Sequence, residues 1–353
     1  MLKLAPVSTA PFALRRKTGD LAEGAARLAR DLKAASVAEV LADANRKAVR
    51  KGATTAFGQM KPRPVDWFTL EDSDDDTRDW YPQGLTSASD AGSGPAAFIA
   101  SWYWKPEVAT EERGIRFTFL NPASGRYRHV LAVTARPDGG YAPVDIHAGG
   151  IAWYGHHLYV ADTSRGLRVF DLRQILDLRS VQPDVGDRNR IGRKGEEFNA
   201  YGYRYILPQC DSWRLVTLGA KFSFAAIDRT ADPDLLVCGE YVETPDEPGR
   251  LARWRLRPDG TLEDRDGVAA AADAYRAPAG KIQGAVTQDG TWYLSQAGTG
   301  AIRGNLLVGG TGETPAVRPY PFGPEDLTVW REKKQLWSVT EFPRRRALFA
   351  VPL

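Results

Sequence analysis

The chain has 353 residues, and its 47 Lys and Arg against 44 Asp and Glu give a formal net charge of only +3. A balance this even produces no large field of one sign, so nucleic acid is not an expected partner. Its two cysteines, Cys210 and Cys238, allow at most one disulfide, and we expect both thiols to be reduced and structural.

The sequence contains no apolar window long enough to cross a bilayer, and the first twenty residues lack the continuous apolar core of a signal peptide. We therefore expect a soluble protein without membrane contacts, located in the cytoplasm. A secreted protein that has lost its leader is the alternative.

Residues 1–60 are predicted to form a helical N-terminal segment. Leu21, Ala25, Leu28 and Leu32 recur at helical spacing, and a second helix begins at the capping box of residues 36–39. The basic residues of both helices are interpreted as a solvated face. The segment is expected to pack on the main domain, and it is also the part that a protein partner would contact.

Residues 61–80 are predicted to be a linker that contains one strand, PVDWFTL, at residues 64–70. The acidic run EDSDDDTRD follows at residues 71–79. Carboxylate oxygens bind hard cations, but the central glycine and closing glutamate of an EF-hand are absent, so we expect a solvated linker.

From residue 81 onward a four-strand pattern recurs, and it is clearest between His147 and Leu172. There, three apolar and aromatic runs are separated by turns that contain Gly, Ser or Thr, which is typical of an antiparallel meander. First strands are predicted at 82–89, 148–155, 222–229, 282–289 and 324–331. Second strands are predicted at 98–102, 159–163, 236–241, 293–297 and 337–341.

Third and fourth strands complete the pattern. Third strands are predicted at 113–121, 166–172, 250–256, 301–308 and 346–352, and fourth strands at 126–135, 201–209, 274–278 and 316–322. Because the chain ends on a third strand, the strand at 64–70 is expected to complete the last unit. The pattern predicts an all-β fold, a five-bladed β-propeller over residues 81–353, with six blades if the insertion around residues 177–215 hides another.

Several phrases together resemble a group of actinobacterial β-propeller proteins that are usually exported and have no assigned reaction. They are WYPQGL, HAGGIAWYG, LYVADTSRGLRVFD, YRYILPQ, KIQGAV, GTWYLS and GPEDL. The resemblance covers about residues 80–350 and implies the propeller fold, but it carries over no catalytic residue. The helical N-terminus without a leader departs from the exported members.

Propeller topology predicts where polar side chains converge. First strands line the central channel, and each second strand returns beside its first strand, so the starts of the former meet the ends of the latter at one mouth. The residues at first-strand starts are Gln83, His147, Gln283, Glu325 and Asp326, and those at second-strand ends are Trp102, Asp162, Glu240, Gln296 and Glu341. Crowded carboxyl groups raise one another's pKa, which suits acid and base catalysis; alternatively, these residues only satisfy strand ends and channel waters.

The leading hypothesis is an enzyme that hydrolyses, isomerises or cyclises a small, partly apolar metabolite in this pocket. Its candidate catalytic residues are Glu240, Glu341, Asp162, Glu325 and His147, with Glu240 and Glu341 preferred for proton transfer. Its candidate substrate-binding residues are Gln83, Trp102, Trp104, Trp153, Gln283, Tyr293 and Gln296. The alternatives are a glycoside-active propeller, which needs two carboxylates at glycosidase separation, and a non-catalytic scaffold that binds a protein.

No cofactor is expected. His147 with the carboxylates of the mouth would suit calcium or manganese, but no closely spaced ligand pair supports a metal. The sequence contains no GxSxG, GxxxxGK, HExxH or CxxC motif. The basic runs at 188–194 and 344–346 are interpreted as solvated loop charge.

Overall fold

The structure, a computed structural model, describes residues 1–108, 111–298 and 303–353. Within these residues, antiparallel four-stranded meanders follow one another along the chain, and their first strands contact each other in a closed ring. This arrangement is a β-propeller in which each meander is a blade, as the sequence predicted.

The first eighty residues combine short strands with short helices. In chain order these are β1 (Ala5–Pro6), β2 (Leu14–Arg16), α1 (Asp20–Asp31), β3 (Lys33–Ala35), α2 (Val37–Ala42), β4 (Arg46–Lys47), β5 (Val49–Arg50), β6 (Asp66–Thr69) and α3 (Asp72–Asp75). No helix in the described ranges is long and apolar enough to cross a membrane.

The first two blades share one large sheet, because their fourth strands pair in parallel. Blade 1 contains β7 (Trp80–Ser87), α4 (Ala88–Ala91), β8 (Phe98–Trp104), β9 (Ile115–Leu120) and β10 (Arg126–Ala135), to which β11 (Tyr141–Pro143) is added. Blade 2 contains β12 (Ile151–Tyr154), β13 (His157–Asp162) and β14 (Gly166–Asp171), then β15 (Ile175–Asp177), β16 (Ile191–Lys194), β17 (Glu197–Ala200) and finally its fourth strand β18 (Tyr205–Leu215). In the insertion, β16 and β17 form a two-stranded hairpin.

The remaining blades are separate sheets. Blade 3 contains β19 (Phe224–Asp228), β20 (Leu235–Gly239), β21 (Arg250–Arg255), β22 (Val268–Ala269) and β23 (Asp273–Arg276). Blade 4 contains β24 (Ile282–Gln288), β25 (Thr291–Gln296), β26 (Asn305–Gly310) and β27 (Ala316–Pro319). Blade 5 contains β28 (Pro324–Trp330), β29 (Gln335–Thr340) and β30 (Ala347–Pro352). Short 3-10 helices lie at Ala10–Phe12, Leu172–Gln174, Leu178–Ser180 and Arg331–Lys333.

Strand β6 completes blade 5 by pairing with β30, so the N-terminal part of the chain closes the last blade. This confirms the prediction that residues 64–70 supply the missing fourth strand. The predicted strands coincide with the observed ones to within a few residues. For the third strand of blade 4, however, Ala301 and Ile302 lie outside the described residues.

The first sixty residues are less helical than predicted, because helix α2 ends at Ala42 and the chain turns into edge strands. Strands β1, β2, β4 and β5 pair with the fourth strands of four different blades. Leu4, Phe12 and Leu14 are buried beneath this layer. The segment therefore extends the propeller sheets outward and contributes to their core.

Apolar side chains pack between the faces of neighbouring blades. Aromatic pairs mark these interfaces: Phe98 and Trp337 join blades 1 and 5, with ring centroids 4.5 Å apart. Phe117 and Phe170 join blades 1 and 2 at 5.4 Å. Each such pair contributes about 0.5–1.5 kcal/mol beyond the burial of its area. The core is thus distributed around the ring and leaves the axis to polar groups.

Glycines allow the first strands to approach each other closely at the axis. A Cβ on Gly150 would lie 2.3 Å from the backbone of Phe224 in the next blade. A Cβ on Gly84 would lie 2.8 Å from the backbone nitrogen of Ile151. Any larger residue would push these strands apart, which explains why glycine stands at these positions.

Two predictions about charge are wrong. Asp74, in the acidic run expected to be a solvated linker, is buried in α3 and bonded to Arg116, His129 and Tyr127. Arg346, expected to be solvated loop charge, is fully buried. Asp74 is balanced by charged partners, whereas the guanidinium of Arg346 bonds to the backbone carbonyls of Asp74 and Glu341, and local composition reveals neither set of contacts.

Candidate functional site

Bulges lie at the start of three first strands, at the end of the ring where the sequence predicted a mouth. In β7, β24 and β28 the pairing register shifts at Gln83, Gln283 and Glu325, respectively. A bulge leaves its extra residue unpaired and turns its side chain, and bulges are common beside active sites. Three of the predicted site residues owe their placement to these bulges.

Gln83 connects two other predicted site residues. Its Nε2 donates to Glu341 Oε2 at 3.1 Å, and its Oε1 lies 2.9 Å from Nε2 of His147. Because an amide oxygen only accepts, His147 carries its proton on Nε2 in this arrangement. Gln83 is 2% exposed, so its orientation is fixed by these bonds.

Glu325 and Glu341 form the centre of the site. Each carboxyl group acts on the ionisation of the other, and Gln283 Nε2 donates to Glu325 Oε1 at 3.1 Å. Burial, and after it the charge of Glu341, raises the pKa of Glu325 well above its usual range. Burial also raises the pKa of Glu341, although Gln83 and Lys105 act in the opposite direction. A pair of carboxyl groups in this situation shares a proton, with Glu325 as the protonated member.

His147 is neutral in this site. Burial, and after it the charge of Lys105, lowers the pKa of His147 to about 4. Its ring packs on Tyr103 with the centroids 4.1 Å apart. Since the imidazole is uncharged near pH 7, it neither pairs with Glu341 as a cation nor stabilises an anion by charge.

The site also includes residues that sequence reasoning missed. Burial and the charges of Glu341 and Glu325 raise the pKa of Tyr103, and the same carboxyl groups contribute to the raised pKa of Tyr241. Tyr241 donates to Glu243 at 2.6 Å, and Lys281 lies 2.9 Å from the same carboxylate. A signal for Tyr103 existed, because strand β8 continues beyond its predicted end at Trp102 and alternate residues face opposite sides.

Asp326 follows Glu325 in the chain, but its contacts stabilise the ring of first strands. Its Oδ2 accepts backbone N–H groups of Leu85 at 3.3 Å and Ile151 at 3.0 Å, which belong to blades 1 and 2. Burial raises its pKa well above the usual range. Asp326 is fully buried and ties the first strands together at the axis.

Three other predicted site residues form their contacts away from the Glu325–Glu341 pair. Arg168 lies 2.7 Å from Asp162, and Arg250 binds both carboxylate oxygens of Glu240 at 2.6 and 2.8 Å. Gln296 donates to the carbonyl of Gly280 at 3.1 Å and accepts from Asn305 at 2.9 Å. Each occupies the end of a second strand, as predicted, but its polar atoms are held by neighbours within its own blade or beside it.

The predicted aromatic wall is not assembled from the four residues proposed. Trp102 is buried, donates to Thr118 and lies between the guanidinium groups of Arg116 and Arg346. Trp104 packs on Trp80, Trp153 donates to the carbonyl of Gly155, and Tyr293 belongs to the apolar core of blades 3 to 5. The aromatic residues whose ionisation the two carboxyl groups affect are Tyr103, which packs on His147, and Tyr241.

Within the described residues, no group of three or more His, Cys, Asp or Glu side chains is arranged to hold a metal ion. Both cysteines are free, and burial raises the pKa of each thiol, so neither is a reactive thiolate. The chemistry of the mouth therefore consists of carboxyl, amide, imidazole and phenol groups, which donate, accept and transfer protons.

No protein-family model matches the chain, and no curated protein matches its sequence. Among solved structures, it is similar to a GH43_1 enzyme from Xanthomonas citri at 9% identity, over 94% of this chain and 93% of that chain, with a TM-score of 0.37. It is also similar to Kuenenia stuttgartiensis hydrazine synthase at 12% identity over 77% of both chains, with a TM-score of 0.33.

A thermostable family-43 glycoside hydrolase is similar at 9% identity, over 78% of this chain and 89% of that chain, with a TM-score of 0.35. At such identities and TM-scores these likenesses carry no argument about the reaction. The propeller architecture rests on the sheet topology of the chain itself.

Proposed function

We propose that this chain is an enzyme in which the Glu325–Glu341 pair transfers a proton to or from a small organic molecule at the axial mouth of a five-bladed ring. The proposal is carried by two neighbouring buried glutamates that Gln83 and Gln283 hold by hydrogen bonds and whose carboxyl groups both have a raised pKa. One acid and one base held side by side supply what hydrolysis, isomerisation and cyclisation each need.

The two glutamates take different roles. Glu341 is the more exposed of the pair, and Gln83 holds one of its oxygens, so it acts as the base that contacts substrate or a water. Glu325 is 1% exposed and holds the shared proton, which it returns through Glu341. When Glu341 takes a proton from the substrate the pair holds two protons, and it returns to one when Glu341 gives a proton to the product, so the total charge of pair and substrate is unchanged. His147 positions Gln83 through its Nε2 proton.

The composition of the mouth favours a substrate rich in hydrogen-bonding groups with a small apolar face. Amides of Gln83 and Gln283 and the ammonium of Lys105 surround the pair, and the rings of Tyr103 and Tyr241 provide the apolar surface. Glu240 and Asp162 have no part in this mechanism because their carboxylates form salt bridges with arginines. No metal or other cofactor is required by it.

Glycoside cleavage remains the second candidate reaction, because two carboxyl groups beside aromatic rings are what such enzymes use. Their carboxyl groups lie about 5 Å apart or more, to leave room for the sugar or a water. The contact between Glu325 and Glu341 therefore has to open when a sugar binds. A sugar that leaves the raised pKa of Glu325 unchanged on binding would contradict this alternative.

The proposal is tested by screening the protein against chromogenic esters, lactones and glycosides, and comparing Glu341→Gln with Glu240→Gln. These glutamates occupy equivalent positions in blades 5 and 3, and Glu341 belongs to the pair whereas Glu240 does not. Turnover of any compound should fall about 100-fold or more in Glu341→Gln, the usual contribution of a general base, and by less than about threefold in Glu240→Gln. Equal turnover by both variants, or no turnover of any compound by the wild type, would contradict the proposal.

A protein-binding scaffold is the rival from another class, and deletion of residues 1–60 is not a clean test of it. The deletion removes strands paired with four blades and exposes buried apolar side chains. A surface variant of helix α1 such as Arg30→Glu tests a docking role without touching the paired strands. Loss of a partner in that variant, with the mouth unchanged, would favour the scaffold.

A further inference from the structure

A second polar cavity lies away from the axial pair, between the N-terminal segment, strands β9 and β10, and the loop before β18. Its volume is about 210 Å³, several times the ~30 Å³ that a water molecule occupies in the liquid. Its lining includes the guanidinium-bearing residues Arg46, Arg113, Arg116, Arg128 and Arg204, together with Tyr203. No aspartate or glutamate is among the residues that line it.

Acidic groups behind the wall fix two of these arginines. Asp74 lies 2.9 Å from Arg116 and 3.2 Å from Arg46, and His129 and Tyr127 contact the same carboxylate. These contacts, with burial opposing them, lower the pKa of Asp74 far below its usual range. The two guanidinium groups are held rigidly, with their acidic partner on the protein side.

Asp43 holds two more of the arginines that line the cavity. It lies 3.0 Å from Arg128 and 2.9 Å from Arg204, and Asp177 holds Arg204 at 2.6 Å. Burial lowers the pKa of Arg128; among nearby charges, Asp43 opposes this shift and Arg204 adds to it. Four carboxylates, of Asp43, Glu71, Asp74 and Asp177, pair with four of the five arginines that line the cavity, so one positive charge is left for an anion.

Arg113 has no such partner. No carboxylate lies within 4 Å of its guanidinium group in the part of the chain that the structure describes. Instead the group is stacked between two aromatic rings, 5.1 Å from the centre of Trp104 and 4.9 Å from that of Tyr201. Its charge is therefore oriented by stacking and is not held in an ion pair, although the carboxylates of Glu111 and Glu112 act on the same Tyr201. In addition, Nε of the buried Arg116 has no hydrogen-bond partner among the described residues.

We propose that this cavity binds a phosphate group, either free or as part of a small organic molecule. Guanidinium groups donate pairs of parallel hydrogen bonds that match the oxygens of phosphate, and several of them together bind a doubly charged group better than a single carboxylate. The cavity has room for such a group and for a short organic part. The site is separate from the axial mouth, so it does not depend on the proposed reaction.

The test is calorimetric titration of the full-length protein with sodium phosphate, sodium sulfate and glycerol phosphate, at constant ionic strength to remove nonspecific screening effects. Saturable binding of one phosphate per chain is expected. Arg113→Gln should weaken it about tenfold or more, since one charge-assisted pair of bonds is lost. Arg136→Gln, which removes an exposed arginine paired only with Asp138, is the matched control and should bind as the wild type does.

Tighter binding of glycerol phosphate than of inorganic phosphate identifies an organic phosphate as the ligand, and the reverse order identifies the free ion. No saturable binding below about 10 mM, or equal binding by Arg113→Gln and Arg136→Gln, overturns the proposal. If Arg113→Gln does not fold, Arg113→Lys decides the matter. It keeps the charge but not the planar fork, and binding as tight as in the wild type would contradict recognition by guanidinium groups.

Discussion

Blades 3 and 5 place the same two residue types at the same position and use them differently. Glu240 follows the second strand of blade 3, and Glu341 follows that of blade 5, each opposite an arginine at the start of the third strand. In blade 3, Arg250 binds both oxygens of the Glu240 carboxylate. In blade 5, Nε of Arg346 donates instead to the backbone carbonyl of Glu341 at 2.9 Å.

Helix α3 explains the difference. The backbone carbonyl of Asp74 accepts Nη1 of Arg346 at 2.6 Å, and the Asp75 carboxylate accepts its backbone N–H at 2.8 Å. With its arginine drawn to α3, the Glu341 carboxyl is left to Gln83 and Glu325. The same glutamate and arginine thus give a structural ion pair in one blade and a proton-sharing carboxyl pair in the other, and a helix outside the repeat decides which.

The largest effect expected is on α3 itself. Asp74→Asn leaves the buried Arg116 without a carboxylate partner and Arg46 with Glu71 alone, so the free energy of unfolding should fall by about 3–5 kcal/mol at pH 7, measured by urea denaturation. Because the folded state lowers the pKa of Asp74, its contribution is present above the ordinary aspartate pKa of about 3.9 and is lost as the pH falls further. Asp138→Asn, an exposed control, should change stability by less than about 0.5 kcal/mol. Similar values for the two variants would contradict the role of Asp74.

The next effect concerns blade 3. Arg250→Leu leaves the buried Glu240 carboxylate without its cation, and we expect a loss of about 2 kcal/mol, reduced from the value for fully buried pairs because the Arg250 side chain is 31% exposed. Arg250→Lys keeps the charge and should lose less. If the two substitutions cost the same in chemical denaturation, the charge of Arg250 is not what stabilises Glu240.

A pH-dependent effect distinguishes blade 5. Because folding raises the pKa of Glu325, its proton stabilises the native state fully below the ordinary glutamate pKa of about 4.3, and this stabilisation is lost as the pH rises through the folded value. Glu325→Gln removes that titration. The stability of the variant relative to the wild type should therefore rise with pH above about 4.3, by at most ~1.4 kcal/mol per pH unit.

The control for this series is Glu196→Gln, whose side chain is 97% exposed. Its stability difference from the wild type should be flat across the same pH range. A flat difference for Glu325→Gln as well would mean that Glu325 titrates normally in the folded protein.

The smallest effect expected is at Arg344, two residues before Arg346. Its side chain is 78% exposed and bonds to Asp76, so Arg344→Gln should change the free energy of unfolding by less than about 1 kcal/mol. A larger loss in thermal or urea unfolding would show that the exposed part of the basic run, and not only its buried member, holds α3 in place.

The sequence predicted the strands well because each blade repeats a local pattern of apolar runs and turn residues. It also predicted that strand starts and ends meet at one mouth, which brought Gln83, His147, Gln283, Glu325 and Glu341 together correctly. It did not distinguish Glu341 from Glu240. Both precede an arginine in the sequence, and the difference depends on a helix more than 260 positions away from Glu341 in the chain.

The prediction of the aromatic lining was wrong for a different reason. Trp102 and Trp104 lie on the strand that reaches the mouth, but alternation along β8 turns them away and presents Tyr103 instead. A one-residue error in register therefore assigns core residues to the lining of the site and lining residues to the core. The burial of Asp74 and Arg346 could not be read from their runs either, because composition describes neighbours in sequence and not partners in space.

The most direct measurement is carbon-13 NMR of the glutamate carboxyl groups, titrated from pH 3 to pH 9 in protein labelled at glutamate. If Glu325 and Glu341 share a proton, one carboxyl resonance titrates well above the ordinary value of about 4.3, and it disappears in Glu325→Gln. In Glu240→Gln that resonance should persist. If every glutamate carboxyl is ionised by pH 6, the pair shares no proton and the proposed mechanism is contradicted.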